Sequence, residues 1–235
     1  MSTPLLQLRD LHAWYGESHI LHGIDLECAE GQLITLLGRN GAGRTTTLRA
    51  IMGMVDRRTG SIQLHGDEFI DKPTHRIAPL GRIGYCPEER GIFSKLTVGE
   101  NLMLPPMVGP GGMGLEEIFT MFPNLRDVRN RMGTRLSGGE QQMLAMARIL
   151  RTGARLLLLD EITEGLAPVI VKVLGEAIRS LKQKGYTIVL VEQNFHFAAP
   201  LANRHYVIEH GRVIDTFSAE ALGANMDRLN QYLSV

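Results

Sequence analysis

The sequence has no surplus of positive charge. Lys plus Arg and Asp plus Glu are 25 each, whereas a surface built for nucleic acid is normally basic. The balance gives no support for such a surface and leaves only a local patch open. Cysteine is scarce as well. Cys28 and Cys86 lie far apart and without metal-ligand spacing, which fits a reducing cytosol. The histidines are scattered. His205 and His210 come nearest to a pair and read as surface or strand residues rather than metal ligands. Long apolar runs are missing too. The densest, Leu156 to Leu159 and Ile188 to Val191, fall far short of the ~20 residues that span a bilayer. The opening MSTPLLQLRD lacks the basic start and apolar stretch of a signal peptide. Any role at a membrane therefore requires docking onto other subunits.

What the sequence does hold is 44% hydrophobic residues over 235 positions, enough for the core of one large domain or one domain with an inserted lobe. Apolar runs with strand character recur at Leu5 to Leu11, Ile24 to Cys28, Leu33 to Leu37, Ile62 to Leu64, Ile83 to Cys86, Leu156 to Leu159, Ile188 to Val191, Tyr206 to Ile208 and Val213 to Phe217. The runs at 33, 156 and 188 are continuous, as in strands covered on both faces. Helical spacing follows several of them: Leu48, Ile51, Met52 and Val55, then Val169, Val173, Ala177 and Leu181. Strands alternating with helices predict an α/β core with a mostly parallel sheet. The early strands, which have no long helices between them, predict an antiparallel β flank.

The stretch from about 98 to 151 lacks strand runs and reads as an inserted helical subdomain. The remainder, 1–97 and 152–235, reads as the α/β lobe of the same single domain. The loop GPGGMG at 109 to 114 reads as a flexible linker. Met103, Met107, Met113, Met121, Met132, Met143 and Met146 crowd this lobe. They read either as core filler or as an adaptable docking surface for a partner helix.

Residues 33 to 54 run LITLLGRNGAGRTTTLRAIMGM: a buried strand, a glycine-rich turn, then an amphipathic helix. That is the context of a phosphate-binding loop. Gly38, Gly41 and Gly43 let backbone N–H groups turn around an anion, and the helix adds its positive end. Thr45 places a hydroxyl for Mg²⁺. Arg44 stands where the motif has lysine, and its planar fork is no simple substitute in a tight cradle. The plainer reading is a glycine turn capping a helix. Residues 155 to 161, RLLLLDE, give a buried strand ending in two carboxylates. In phosphate-loop ATPases the first acid holds Mg²⁺, and the next can orient the attacking water. Asp160 and Glu161 fit those roles. In LSGGEQQMLAMARIL, at 136 to 150, Ser137 and Glu140 form a capping box that starts a helix. Gly138 and Gly139 leave amides open at its positive end, where a phosphate can sit.

LSGGEQQ resembles the signature motif of the ABC ATPases, and its place between a phosphate loop and an LLLLDE strand matches that family over essentially the whole chain. The resemblance implies ATP and Mg²⁺ as cofactors. It implies a head-to-tail pair of ATPase subunits, alike or different, in which Ser137, Gly138, Gly139 and Glu140 meet ATP held by the other subunit. The phosphate-loop set is then Gly38, Arg39, Asn40, Gly41, Ala42, Gly43, Arg44, Thr45 and Thr46. Tyr15 in HAWYGESHIL sits where the family stacks an aromatic on adenine. Glu88 in GYCPEERGIF stands where most members have a glutamine reaching Mg²⁺. Gln193 in VLVEQN stands at the switch-histidine position, and glutamine can hydrogen-bond a γ-phosphate but cannot titrate near neutral pH. Glu161 and Gln193 are thus the expected catalytic pair, and Thr45, Glu88 and Asp160 the metal set. Ile162 replaces the family's proline.

PEERGIF, EGLAP and VEQN together resemble the branched-chain amino acid importer ATPases, with urea or amide importers close by. The resemblance implies two membrane permeases, a periplasmic binding protein acting indirectly, and a place on the cytoplasmic face of the cell membrane. A slow, nucleotide-binding half of an asymmetric pair is the alternative that Arg44 raises. A soluble ABC protein acting on DNA or ribosomes is the third reading, but such proteins resemble tandem or coiled-coil-bearing forms, and this chain has neither feature.

Overall fold

The computed structural model describes residues 4–233. Met1 to Thr3, on which the leader reading partly bears, lie outside them. The order of elements is β1 (Leu6–Tyr15), β2 (Ser18–Cys28), β3 (Leu33–Leu37), α1 (Arg44–Ile51), β4 (Arg57–Leu64), β5 (Asp67–Glu68), α2 (Thr74–Gly81) and β6 (Ile83–Cys86). Next come α3 (Val98–Met103), α4 (Leu115–Met121), α5 (Pro123–Asp127), α6 (Gly138–Arg151), β7 (Leu156–Asp160) and α7 (Pro168–Gln183). The chain closes with β8 (Thr187–Val191), α8 (Phe195–Ala198), β9 (Arg204–Glu209), β10 (Arg212–Ser218) and α9 (Met226–Leu233).

Two sheets result. One is antiparallel, in the order β2-β1-β4-β5; the other runs β10-β9-β3-β8-β7-β6, and only its β9–β10 pair is antiparallel. The fold is α/β with a mostly parallel sheet, an antiparallel flank and an inserted helical segment. The physical cause is visible strand by strand. β3, β7 and β8 are buried at every residue, so they can only be central strands. β2 alternates from Ile24 onward, with Ile24, Leu26 and Cys28 inside, which covers one face and leaves the other to solvent.

The sequence periodicity placed two helices less well. α1 ends at Ile51, because Met52 closes it and Gly53 turns left-handed at φ 68°; Val55 lies beyond it. On α7 the buried residues are Leu174, Gly175, Ala177, Ile178 and Leu181, and Val169 is 66% exposed. A strict four-residue spacing drifts off the core face, since the helix repeats every 3.6 residues. β5, α2 and α9 carry no long apolar run and were not anticipated.

The loop 109–114 is not a free linker. The Val108 and Gly109 amides both donate to the Thr152 carbonyl, and Met113 donates to Leu150. Side chains at Gly112 and Gly153 would strike the Arg151 and Gly109 carbonyls, so the glycines allow close backbone packing rather than motion. The methionines divide. Met113, Met143 and Met146 are buried, while Met103, Met107 and Met132 are at least half exposed.

Candidate functional site

The turn after β3 has no space for side chains at two points. A Cβ at Gly38 would run into the Ile208 carbonyl, and one at Gly43, where φ is 108°, would meet Leu21 Cδ2 at 2.9 Å. The backbone therefore wraps tightly through 38–43 and delivers the positive N-terminal end of α1 to a cleft. That cleft, of about 440 Å³, is lined by Tyr15, Ile20, Asn40, Gly41, Ala42, Gly43, Arg44, Thr45, Thr46, Glu88, Glu161, Glu164 and Gln193. β1, α1, the ends of β6 and β7, and the segment after β8 all converge on it. Most of the residues expected at the phosphate loop are brought together here.

Arg39 is not. Its Nε donates to the Tyr232 carbonyl at 3.3 Å, and it lines a separate cavity with residues 40–42 and 207–210. Its exposed side chain finds an acceptor on α9 instead. None of Ser137, Gly138, Gly139 and Glu140 lines the cleft either. Ser137 and Glu140 satisfy each other: the Ser137 amide and hydroxyl donate to Glu140 Oε2 at 2.7 and 2.8 Å, and the Glu140 amide donates back at 3.3 Å.

Arg44 is the pivot of the cleft. Its side chain is 3% exposed. Nη2 donates to Asn40 Oδ1 at 3.1 Å and to Glu161 Oε1 at 2.9 Å, whereas Nη1 is buried with no partner. Burial pulls the guanidinium below its ordinary pKa, and Glu161 and Asp160 oppose that pull. An unpaired buried donor costs about 1–3 kcal/mol, so Nη1 favours an incoming anion. Glu161 is held at its other oxygen as well, where Gln193 Nε2 donates to Oε2 at 2.6 Å. Its backbone is left-handed, with φ 46°, a conformation that costs a non-glycine residue about 1–3 kcal/mol.

Asp160 is fully buried. Thr45 Oγ1 donates to Oδ1 at 2.9 Å and the Tyr85 hydroxyl donates to Oδ2 at 3.1 Å. Burial nevertheless raises its pKa to about 6. A desolvated carboxylate beside a threonine hydroxyl is a hard oxygen set of the kind Mg²⁺ takes. Glu88 lines the same cleft as Thr45. Its carboxylate lies within 4.8 Å of those of Glu161 and Glu164, which makes a three-acid group facing Arg44.

Two acids were missed in the sequence. Glu164 shares a hydrogen bond with Glu161 that raises its pKa. Glu192 is 2% exposed and accepts from the Thr163 amide at 3.1 Å and the Thr163 hydroxyl at 2.9 Å. Burial pushes it up to about 7. It ties the loop after Glu161 to the segment that carries Gln193. The available signal was an acid placed directly after the all-buried strand Thr187–Val191.

The profile of the family described as ABC transporter matches residues 21–164. The high-affinity branched-chain amino acid transport ATP-binding protein BraG of Pseudomonas aeruginosa is 37% identical, over 97% of this chain and 99% of its own length. A probable branched-chain amino acid transport ATP-binding protein, LivF of Archaeoglobus fulgidus, is 34% identical over 93% and 94%. A lipopolysaccharide export system ATP-binding protein, LptB of Haemophilus influenzae, is 31% identical over 92% and 91%. Among solved structures, an ATP-binding subunit of an ABC transporter superposes with a TM-score of 0.80 at 25% identity, covering 98% of this chain and all of that one.

Proposed function

Because the chain belongs to the ABC transporter family, we propose that it drives an importer of branched-chain amino acids, working in a head-to-tail ATPase pair beneath two membrane permeases. The family's cassettes are ATPases, and so is this chain. No helix among the described residues is long and apolar enough to cross a membrane, which fits a subunit docked on the cytoplasmic face. The observation that carries the reading is the hydrogen-bonded set Arg44–Glu161–Gln193 and Thr45–Asp160 at the head of one phosphate loop. The solute rests on the likeness to BraG and LivF, which is stronger than that to LptB.

In this reading Tyr15 stacks on adenine, the 38–46 loop and Arg44 Nη1 take the phosphates, and Gln193 reaches the γ-phosphate. Thr45 and Asp160, with Glu88 nearby, would hold Mg²⁺, which neutralises phosphate charge. Glu161 orients the attacking water once Arg44 and Gln193 release one of its oxygens. Ser137 to Glu140 contact nucleotide bound to the partner, so closing the pair completes the site.

The second reading, a slow half of an asymmetric pair, is favoured by one observation. Arg44 and Gln193 occupy both oxygens of Glu161. Mg²⁺-dependent ATP hydrolysis by the purified chain, beside Arg44→Lys and Glu161→Gln, separates the two. An active importer motor turns over in the native form and loses about a hundredfold or more in Glu161→Gln. A near-silent native chain that Arg44→Lys revives overturns the motor reading and leaves turnover to the partner.

A further inference from the structure

The outer face of the antiparallel sheet carries a group of side chains that plays no part in the cleft. His12 and Trp14 on β1 lie side by side with His19 and His22 on β2: His12 pairs with His22 across the strands and Trp14 with His19. Trp14 and His19 stack at 4.2 Å, His19 and His22 lie 4.0 Å apart between ring centres, and His12 and His19 5.1 Å. A β-bulge between Ala13 and Trp14 brings His19 into this row. The scattered histidines of the sequence are thus gathered three at a time, whereas His205 is fully buried against Thr35.

The hydrogen bonds select ring tautomers. Asp10 Oδ1 lies 3.0 Å from His12 Nε2, and a carboxylate there can only accept, so Nε2 carries the proton. In the neutral ring Nδ1 then presents its lone pair, and Nδ1 faces His19 Nε2 at 3.0 Å. A carboxylate behind the far nitrogen of an imidazole is the outer-shell arrangement that orients metal-ligating histidines and makes them more basic. Two Zn–N bonds of 2.0–2.1 Å at a tetrahedral angle set the nitrogens about 3.3 Å apart, so the His12–His19 gap need open only slightly. His22 lies beside the pair, its ring centre 4.0 Å from that of His19. The charges around the group are mixed. Asp10, with Asp25 accepting from its amide, flanks one side, and Arg57 lies over Trp14 on the other.

We infer that His12 and His19 form a two-imidazole binding site for a borderline divalent transition cation such as Zn²⁺ or Cu²⁺, with Asp10 as the outer-shell carboxylate. The site does not depend on the function proposed for the cleft.

Trp14 is the sole tryptophan of the sequence, so its fluorescence reports on this face alone. The experiment titrates the full chain with Cu²⁺ alone, then repeats the titration in the presence of Zn²⁺. The expected result is saturable quenching at one equivalent, competed by Zn²⁺, weakened tenfold or more in His19→Gln, and unchanged in His210→Gln. Asp10→Asn, on an exposed side chain, keeps the test sound if His19→Gln fails to fold; it weakens binding at least tenfold. Quenching that never saturates, or a midpoint shared by the native chain and both variants, overturns the site.

Discussion

Arg44 reaches Glu161 across 117 residues of sequence and Thr45 reaches Asp160 across 115, whereas Ser137 and Glu140 satisfy each other three residues apart. The two halves of the nucleotide machinery are therefore built differently. The phosphate-loop half is a tertiary object. Arg44 and Asp160 are buried, and the set is positioned by β3, β7 and β8 lying side by side in one sheet. The signature half is a local object, an exposed helix cap that forms wherever α6 forms. The first is costly to disturb and answers to the whole fold. The second costs little to disturb within one subunit, and in the proposed head-to-tail pair its function depends on a surface the other subunit supplies.

The largest effect that tests this contrast is the loss of Arg44. Arg44→Met leaves the largely desolvated Glu161, 10% exposed, without its cation and is expected to destabilise the fold by about 2 kcal/mol, read as a drop in denaturation midpoint. A change below 1 kcal/mol would show that the pair is not buried as described.

Next comes Glu192. Its raised pKa means the fold favours the protonated acid, so its contribution is present below the ordinary glutamate range and is lost as pH rises through about 7. Glu192→Gln keeps the shape and removes the charge. It should raise the thermal midpoint at pH 8 by several degrees, for a gain of about 2 kcal/mol, and change little at pH 5. Equal shifts at both pH values would refute the buried-carboxylate account.

Asp160 behaves likewise through about pH 6. Mg²⁺ with nucleotide should therefore stabilise the protein more at pH 7.5 than at pH 5. A thermal shift independent of pH would count against Asp160 as a metal ligand.

The smallest effect belongs to the signature half. Ser137→Ala removes one cap and should cost about 1 kcal/mol of stability, while ATP hydrolysis by the assembled pair falls far more than that figure suggests. If stability and turnover fall in step, the local–tertiary contrast fails.

The same contrast explains what could be read in advance. β3, β7 and β8 are continuous apolar runs, and the Ser137–Glu140 cap is a pattern within four residues, so both were legible. The glycines at 38, 41 and 43 were legible because a tight turn admits little else. What escaped depends on distant chain segments. Nothing near Glu192 in sequence says that Thr163 will meet it, and nothing near Arg39 says that its side chain will turn to Tyr232. Glu164 lay unremarked within a recognised motif because its role comes from Glu161 and Glu88 across the cleft. The 109–114 loop was misread because glycine serves both free linkers and tightly packed backbone, and composition cannot separate the two.

The closure of that loop over the end of α6 has a mechanical consequence. α6 spans 14 residues, about 21 Å. Its first turn is fastened by the Ser137 cap, and the loop's bonds to Leu150 and Thr152 fasten its last. Seven residues between Gln142 and Leu150 are buried along its length. A helix held at both ends and buried along its length frays little, so a push received near Met103 and Met107 is expected to reach Ser137 by moving α6 as a unit.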